Sequence, residues 1–296
     1  MREKTTVADR YLFEHFYQTC TAESKNKVNC CGVELCDDYS WIDVILVGEK
    51  TCRECEFRAE RQGFYYGKNE FSASFEKQEF VTLRKIRTQK EFEEVCKRIS
   101  PDAKGIVIHG AVLDASPLEQ FTGLEFVVFE GQRIAQFWNI SKTPNLRMLT
   151  IWMNENLKSL SGLEDATNLE CLQFYTSFSD VAVHKIASFA PISNLEKLKE
   201  VIISATEPFD HNIDYLIDLP SIEYLWISPN LFPMECYAKF EAKKFKLSDE
   251  YGIYCEENND IYPYGKGKRV MHSAEQKNRY LTQYSEIFRL YSHCGE

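Results

Sequence analysis

The chain has 296 residues, 44% of them apolar and 14% aromatic, and a formal charge of −10. That supplies core material for one large domain or two ordinary ones, while the acidic balance argues against attachment to a nucleic-acid backbone or an anionic membrane, both of which need basic surface. The N-terminus lacks a signal-peptide apolar run, and the greasiest stretch, WIDVILV at 41–47, is broken by Asp43 and too short to span a bilayer, so the sequence predicts a cytoplasmic protein.

In chain order, VADRYLFEHFYQ (7–18) reads as an opening helix. NCCGVELC and TCREC follow, and they place Cys31, Cys36, Cys52 and Cys55 at spacings that allow four thiolates to meet on Zn²⁺. The competing reading is reduced thiols, which is the ordinary state of intracellular cysteine; the other cysteines from Cys96 onward are scattered singly and are expected to be buried as small hydrophobes. Residues 39–84 alternate in polarity and are rich in aromatic and β-branched side chains, which predicts a small antiparallel sheet. With the opening helix it makes residues 1–84 an N-terminal α+β subdomain. TQKEFEEVCKRI then predicts a cap helix within 85–102: Thr88 and Glu91 have capping-box spacing, and Phe92, Val95, Cys96 and Ile99 form one stripe.

From residue 103 a template repeats, with apolar residues at offsets 0, 3 and 5. It is seen in LEFVVF from Leu124, LRMLTI from Leu146, LECLQF from Leu169, LKEVII from Leu198 and IEYLWI from Ile222. The starts are 22, 23, 29 and 24 residues apart, and a weaker copy begins at Ala103, 21 residues before Leu124, for about six units. Leu157, Leu160 and Leu163, and again Ile213, Leu216, Ile217 and Leu219, supply apolar return segments; the long unit from Leu169 is expected to hold a short helix within SDVAVHKIASFAPI, ended before Pro191. Residues 231–296 form a C-terminal cap, with Ser273 and Gln276 opening a last helix whose stripe runs through Tyr280, Leu281, Tyr284, Ile287, Phe288 and Tyr291.

LRMLTIWMN and IEYLWISPN fill the pattern L-x-x-L-x-L-x-x-N, and residues 103–230 resemble the leucine-rich repeat family on those motifs. The resemblance implies an α/β fold, a solenoid with a curved parallel sheet, and a concave face used to bind partners. Asn154 and Asn230 occupy the asparagine position, whereas Gln132, Ser177 and Thr206 stand there in other units, which departs from a regular asparagine ladder.

Strand alternation turns offsets 2, 4 and 6 away from the core. That face collects Phe126, Met148, Trp152, Tyr175, Tyr224 and Trp226, the anchors expected for a protein partner. Cover by another part of the same chain is the alternative, since either removes an apolar patch from water. Residues 103–230 hold 8 Lys and Arg against 16 Asp and Glu, so a basic partner is favoured. The sequence therefore predicts a non-catalytic interaction protein, in a narrower form an intracellular inhibitor or immunity-type protein. The rival readings are a zinc-binding module at the four cysteines and an enzyme with its site between the N-terminal subdomain and the repeats. YPYGKGKR (262–269) lacks phosphate-loop spacing and reads as a basic turn.

Overall fold

A computed structural model describes residues 63–65, 67, 75–131, 133–152, 154–175, 183–228, 231–242 and 273–292. The opening helix, the paired cysteines and the 262–269 turn lie outside the described residues.

Each template unit begins a strand. β1 (Gly63–Tyr65), β2 (Phe80–Ile86), β3 (Gly105–Gly110), β4 (Phe126–Glu130), β5 (Met148–Trp152), β6 (Cys171–Tyr175), β8 (Glu200–Ser204) and β10 (Tyr224–Ile227) lie side by side in that order, and every pair is parallel. The register aligns the template across the sheet. Offset 3 makes one file, Val81, Ile106, Val127, Leu149, Leu172, Val201 and Leu225; offset 5 makes the next, Leu83, Ile108, Phe129, Ile151, Phe174, Ile203 and Ile227. Both files are buried in one continuous core. A single strand could not bury such residues alone; stacked units do it for one another.

The sheet reaches further toward the N-terminus than the template search does. Val81 and Leu83 occupy offsets 3 and 5 of a unit that starts at Gln78, where the polar first residue hides the match. Within the described part of 39–84, β1 and β2 pair parallel instead of forming the expected antiparallel sheet. The predicted helix is present as α1 (Gln89–Cys96), with Thr88 accepting from the Glu91 amide and Phe92, Val95 and Cys96 buried. It connects β2 to β3, two parallel neighbours, which need a crossover of this kind.

The return segments run on a three-residue period. Ser116–Gln120, Ile140–Lys142, Leu163–Asp165 and Ala190–Ile192 are 3-10 turns. In each, the amide three residues on is tied back, as in Phe121 to Leu118 and Leu124 to Phe121, Thr143 to Ile140 and Leu146 to Thr143, or Ala166 to Leu163 and Leu169 to Ala166. Side chains at this spacing eclipse one another along a 3-10 turn, so Leu118, Ile140, Leu163 and Ile192 stack into the core from the side opposite the strands. The last return contains α2 (Asp214–Ile217).

The long unit departs from its expectation. Where a helix was predicted, His184–Ile186 is strand β7, and it pairs parallel with β9 (Thr206–Pro208) in a separate ribbon. β9 directly follows β8 through Ala205, whose φ of 49° makes the sharp turn and whose amide donates to Ser228 Oγ at 2.9 Å. Beyond β10, α3 (Met234–Ala242) is held by Tyr237, whose hydroxyl donates to the Ser228 carbonyl at 2.6 Å and accepts from the Leu231 and Phe232 amides. The last helix, α4 (Ala274–Ser292), starts with the Gln276 amide on Ser273 Oγ and lies against α3, burying Tyr280 and Tyr284.

Candidate partner-binding face

The outward files are as regular as the inward ones. Offset 2 places Phe80, Gly105, Phe126, Met148, Cys171, Glu200 and Tyr224 in line, and offset 4 places Thr82, Val107, Val128, Thr150, Gln173, Ile202 and Trp226. Gly105 is small for a reason: a Cβ there would lie 2.6 Å from the Phe80 ring and 3.2 Å from that of Phe126.

The predicted anchors divide into two groups. Phe126, Met148 and Trp152 are 0%, 1% and 6% exposed, buried by the chain itself, so this end of the face is not open to a partner. An uninterrupted file of such side chains is too apolar for a soluble chain to leave in water. Tyr175, Tyr224 and Trp226 are half-buried. Trp152 meets Tyr175 edge to face, with ring centroids 5.9 Å apart, which orients the accessible tyrosine from behind. On adjacent strands β6, β8 and β10 the half-buried aromatics stand around the buried Ile202 in a patch roughly 10 Å wide, from two strand spacings, and roughly 13 Å long, from offset 2 to offset 6.

Between the two groups runs a polar file that the aromatic reading of the sequence overlooked. Thr150 Oγ1 donates to Gln173 Oε1 at 3.1 Å, Gln173 Nε2 donates to Glu200 Oε1 at 2.7 Å, and the Cys171 thiol donates to that same oxygen at 3.3 Å. All four residues are buried. Polar groups in such a place require partners, and each here finds one on the neighbouring strand. Their common offsets, 2 and 4 in successive units, carry the signal in the sequence.

A second, polar groove lies at the starts of the strands, lined by Glu125, Asn145, Arg147, Asn168, Glu170 and Lys197. Asn145 and Asn168 donate to the Thr122 and Pro144 carbonyls of the preceding units at 3.0 and 2.7 Å, and Lys197 donates to Asn168 Oδ1. These side chains are engaged in joining one unit to the next.

No group of three or more His, Cys, Asp or Glu among the described residues is arranged to hold a metal ion. Burial pushes the Cys96 thiol far above its ordinary range, and burial, then Asp214 and Glu235, push Cys236 up to about 11, so neither is a ready nucleophile. Cys31, Cys36, Cys52 and Cys55 lie outside the described residues, as does Asn230. Asn154 has the role its position implies: buried, it donates to the Ile134 carbonyl at 3.0 Å and accepts from the Asn156 amide at 3.1 Å. Among the described residues, no helix is long and apolar enough to cross a membrane.

Parallel strands one template unit apart, in register, with 3-10 returns on the opposite side, make this a leucine-rich-repeat-like array. No family model matches the chain, and no curated protein matches it. Among solved structures it is similar to internalin C2 of Listeria monocytogenes, at 17% identity and a TM-score of 0.39 over 50% of this chain and 60% of that one. It is also similar to another internalin of that organism, at 17% identity and a TM-score of 0.39 over 53% of this chain and 50% of that one. The chain thus spans half to three fifths of the length of these two structures.

Proposed function

We propose that this chain is a non-catalytic interaction protein, a curved repeat solenoid with a C-terminal helical cap that binds a protein partner through its outward sheet face. The observation that carries this reading is the patch of Tyr175, Tyr224 and Trp226 at the β6–β8–β10 end, where three aromatics remain half-buried on one sheet face. Aromatic side chains set on a sheet lose little entropy on binding and act as anchors. Trp152 supports Tyr175, and Phe126 and Met148 continue the face beneath the chain's own cover. The excess of carboxylates in the repeats favours a basic partner, and inhibition of a basic intracellular protein is the narrower form of the proposal.

The test is capture from lysate with the wild type and a Tyr224→Ala/Trp226→Ala variant, followed by calorimetry with the purified partner. A stoichiometric partner that loses about 2 kcal/mol or more of affinity to the folded variant supports the reading, since anchor residues contribute on that scale. A partner that binds both proteins equally overturns it.

A further inference from the structure

The β7–β9 ribbon is a structural oddity: two parallel strands of three residues each, apart from the main sheet. Parallel pairing is the weaker kind, and an isolated pair of strands is marginal in water, so something must hold it. Along the main chain the Ala187 amide donates to the Lys158 carbonyl of the array at 2.7 Å, while the His184 and Phe209 amides, donating to the Ala205 and Ile186 carbonyls at 2.8 Å, join the two sides of the ribbon. Side chains complete the seat: Ile186 is fully buried in the core, Thr206 and Glu207 of β9 are buried, and His184, 6% exposed, sets its ring 5.9 Å from that of Phe174 on β6.

We propose that His184 is a pH-sensitive latch that fastens the β7–β9 ribbon to the repeat array, so that acidification opens the ribbon while the main sheet stays folded. The two ring nitrogens define the latch. Nε2 lies 2.6 Å from the Leu157 carbonyl, which only accepts, so Nε2 carries the hydrogen. Nδ1 lies 3.4 Å from the Lys158 ammonium, which only donates, so Nδ1 is bare and accepts. The neutral ring satisfies both neighbours. A second proton must sit on Nδ1, facing the ammonium, and the Lys158 contact is then replaced by repulsion.

The charged surroundings act in both directions. From the turn after β5, Lys158 opposes the added proton and Glu155 favours it; β6 presents the apolar Phe174. On β7 itself Lys185 pairs with Glu207 of β9, which also takes His211 Nδ1 at 3.0 Å. Burial is the largest influence at His184, and with Lys158 it outweighs the Leu157 carbonyl and Glu155, so the ring is held below its ordinary value of 6.5. A histidine lowered in the closed form and restored to its ordinary value on opening binds more protons when open. The latch is therefore fully engaged above pH 6.5 and weakens as pH falls from 6.5 toward the lowered value. With one proton taken up, opening rises by at most about tenfold per pH unit across that window. An open ribbon releases Ile186 and bares the Phe174 ring, apolar surface that is hidden at neutral pH.

The test is amide hydrogen exchange on the full chain between pH 7.5 and 5, corrected for intrinsic rates, with the Ala187 and Phe209 amides compared with those of β5. Ribbon protection should fall relative to β5 with acidification, and the fall should vanish in His184→Gln, whose amide keeps a donor and an acceptor but does not titrate. His211→Asn, removing the ribbon's other histidine, should leave the fall in place. A constant ratio in the wild type, or an unchanged fall in His184→Gln, overturns the latch. Should His184→Gln not fold, the His184 C2 proton titration in the wild type decides: a midpoint below 6.5 supports the proposal, and one at or above 6.5 overturns it.

Discussion

Arg147 joins three successive repeats: its Nε donates to Glu170 at 2.8 Å on one side, while Nη1 lies 3.7 Å from Glu125 on the other. The arrangement extends in both directions. Lys199 reaches Glu170 at 2.8 Å and Lys104 reaches Glu79 at 3.0 Å. All of these residues stand at offset 1 of their units, and along the sheet the signs of Glu79, Lys104, Glu125, Arg147, Glu170, Lys199 and Glu223 alternate without a break. Shifting one unit along the array would set like charges side by side, so the ladder discriminates against misaligned stacking of otherwise similar apolar units.

Burial raises the Glu170 carboxyl, but the hydrogen bonds and charges of Lys199 and Arg147 outweigh it and bring it below its ordinary value of 4.5. A depressed carboxylate contributes stability that is present above pH 4.5 and is lost as pH falls through the lowered value. Arg147→Met should therefore cost about 0.2–1 kcal/mol at pH 7, a modest figure because the arginine is partly exposed, and the difference should shrink in acid. Arg147→Glu should cost more, since a third carboxylate then stands between Glu125 and Glu170. Chemical denaturation of the three proteins at pH 7 and below pH 4.5 checks both statements. Equal stability of Arg147→Met and Arg147→Glu would remove the ladder from the account.

The buried file of Thr150, Gln173, Glu200 and Cys171 has a different sensitivity, because no water replaces a lost partner. Gln173 is its central link, donating to Glu200 and accepting from Thr150. Gln173→Leu removes both bonds at once and should destabilise by about 2–4 kcal/mol, the range expected when buried polar groups lose their partners. Thr150→Val, which removes one donor at the end of the file, should cost about 1 kcal/mol. Denaturant midpoints measured in parallel rank the two; a Gln173→Leu protein as stable as wild type would show that the file is incidental to the fold.

How much of this was legible depends on the period each element imposes. The strands were visible because offsets 3 and 5 must be apolar in every unit, as at Leu149 and Ile151 or Phe174, where both neighbours demand it. Gln78 hid one repeat unit: its strand reads from the sequence as part of the 39–84 antiparallel sheet, because the template's first apolar position is polar there and only Val81 and Leu83 fill the next two. The returns were seen as apolar but not as 3-10 turns, although Leu118, Phe121 and Leu124 display the three-residue spacing openly. β7 read as helix because a run as short as HKI has no periodicity of its own; its conformation is decided by pairing with Thr206–Pro208, 22 residues later. The aromatic face was legible as composition, while its partial burial was not, because cover is a property of the whole chain rather than of one strand.

The last helix provides a test in which the pH dependence has the opposite sign. α4 reaches α3 through Tyr284, whose hydroxyl donates to Glu241 Oε2 at 2.7 Å. Burial raises the Glu241 carboxyl, and the Tyr284 hydrogen bond, which favours the ionised form, only partly offsets it. A raised carboxyl favours the protonated folded state, so this site is most stabilising in acid and loses stability as pH rises from 4.5 through the raised value. Ionisation as the pH rises places a charge where burial disfavours it. Glu241→Gln keeps an oxygen to accept from Tyr284 and removes the charge, so it should stabilise the folded chain at pH 7, by less than about 1 kcal/mol because the site is only partly buried, and the gain should disappear below pH 4.5. Tyr284→Phe should do the reverse at pH 7, leaving Glu241 without that donor and loosening α4 by about 1 kcal/mol. Thermal denaturation across pH 4 to 8, with limited proteolysis of the last helix as a local readout, separates the two effects. A Glu241→Gln protein less stable than wild type at pH 7 would mean that the carboxylate's charge holds α4 in place rather than straining it.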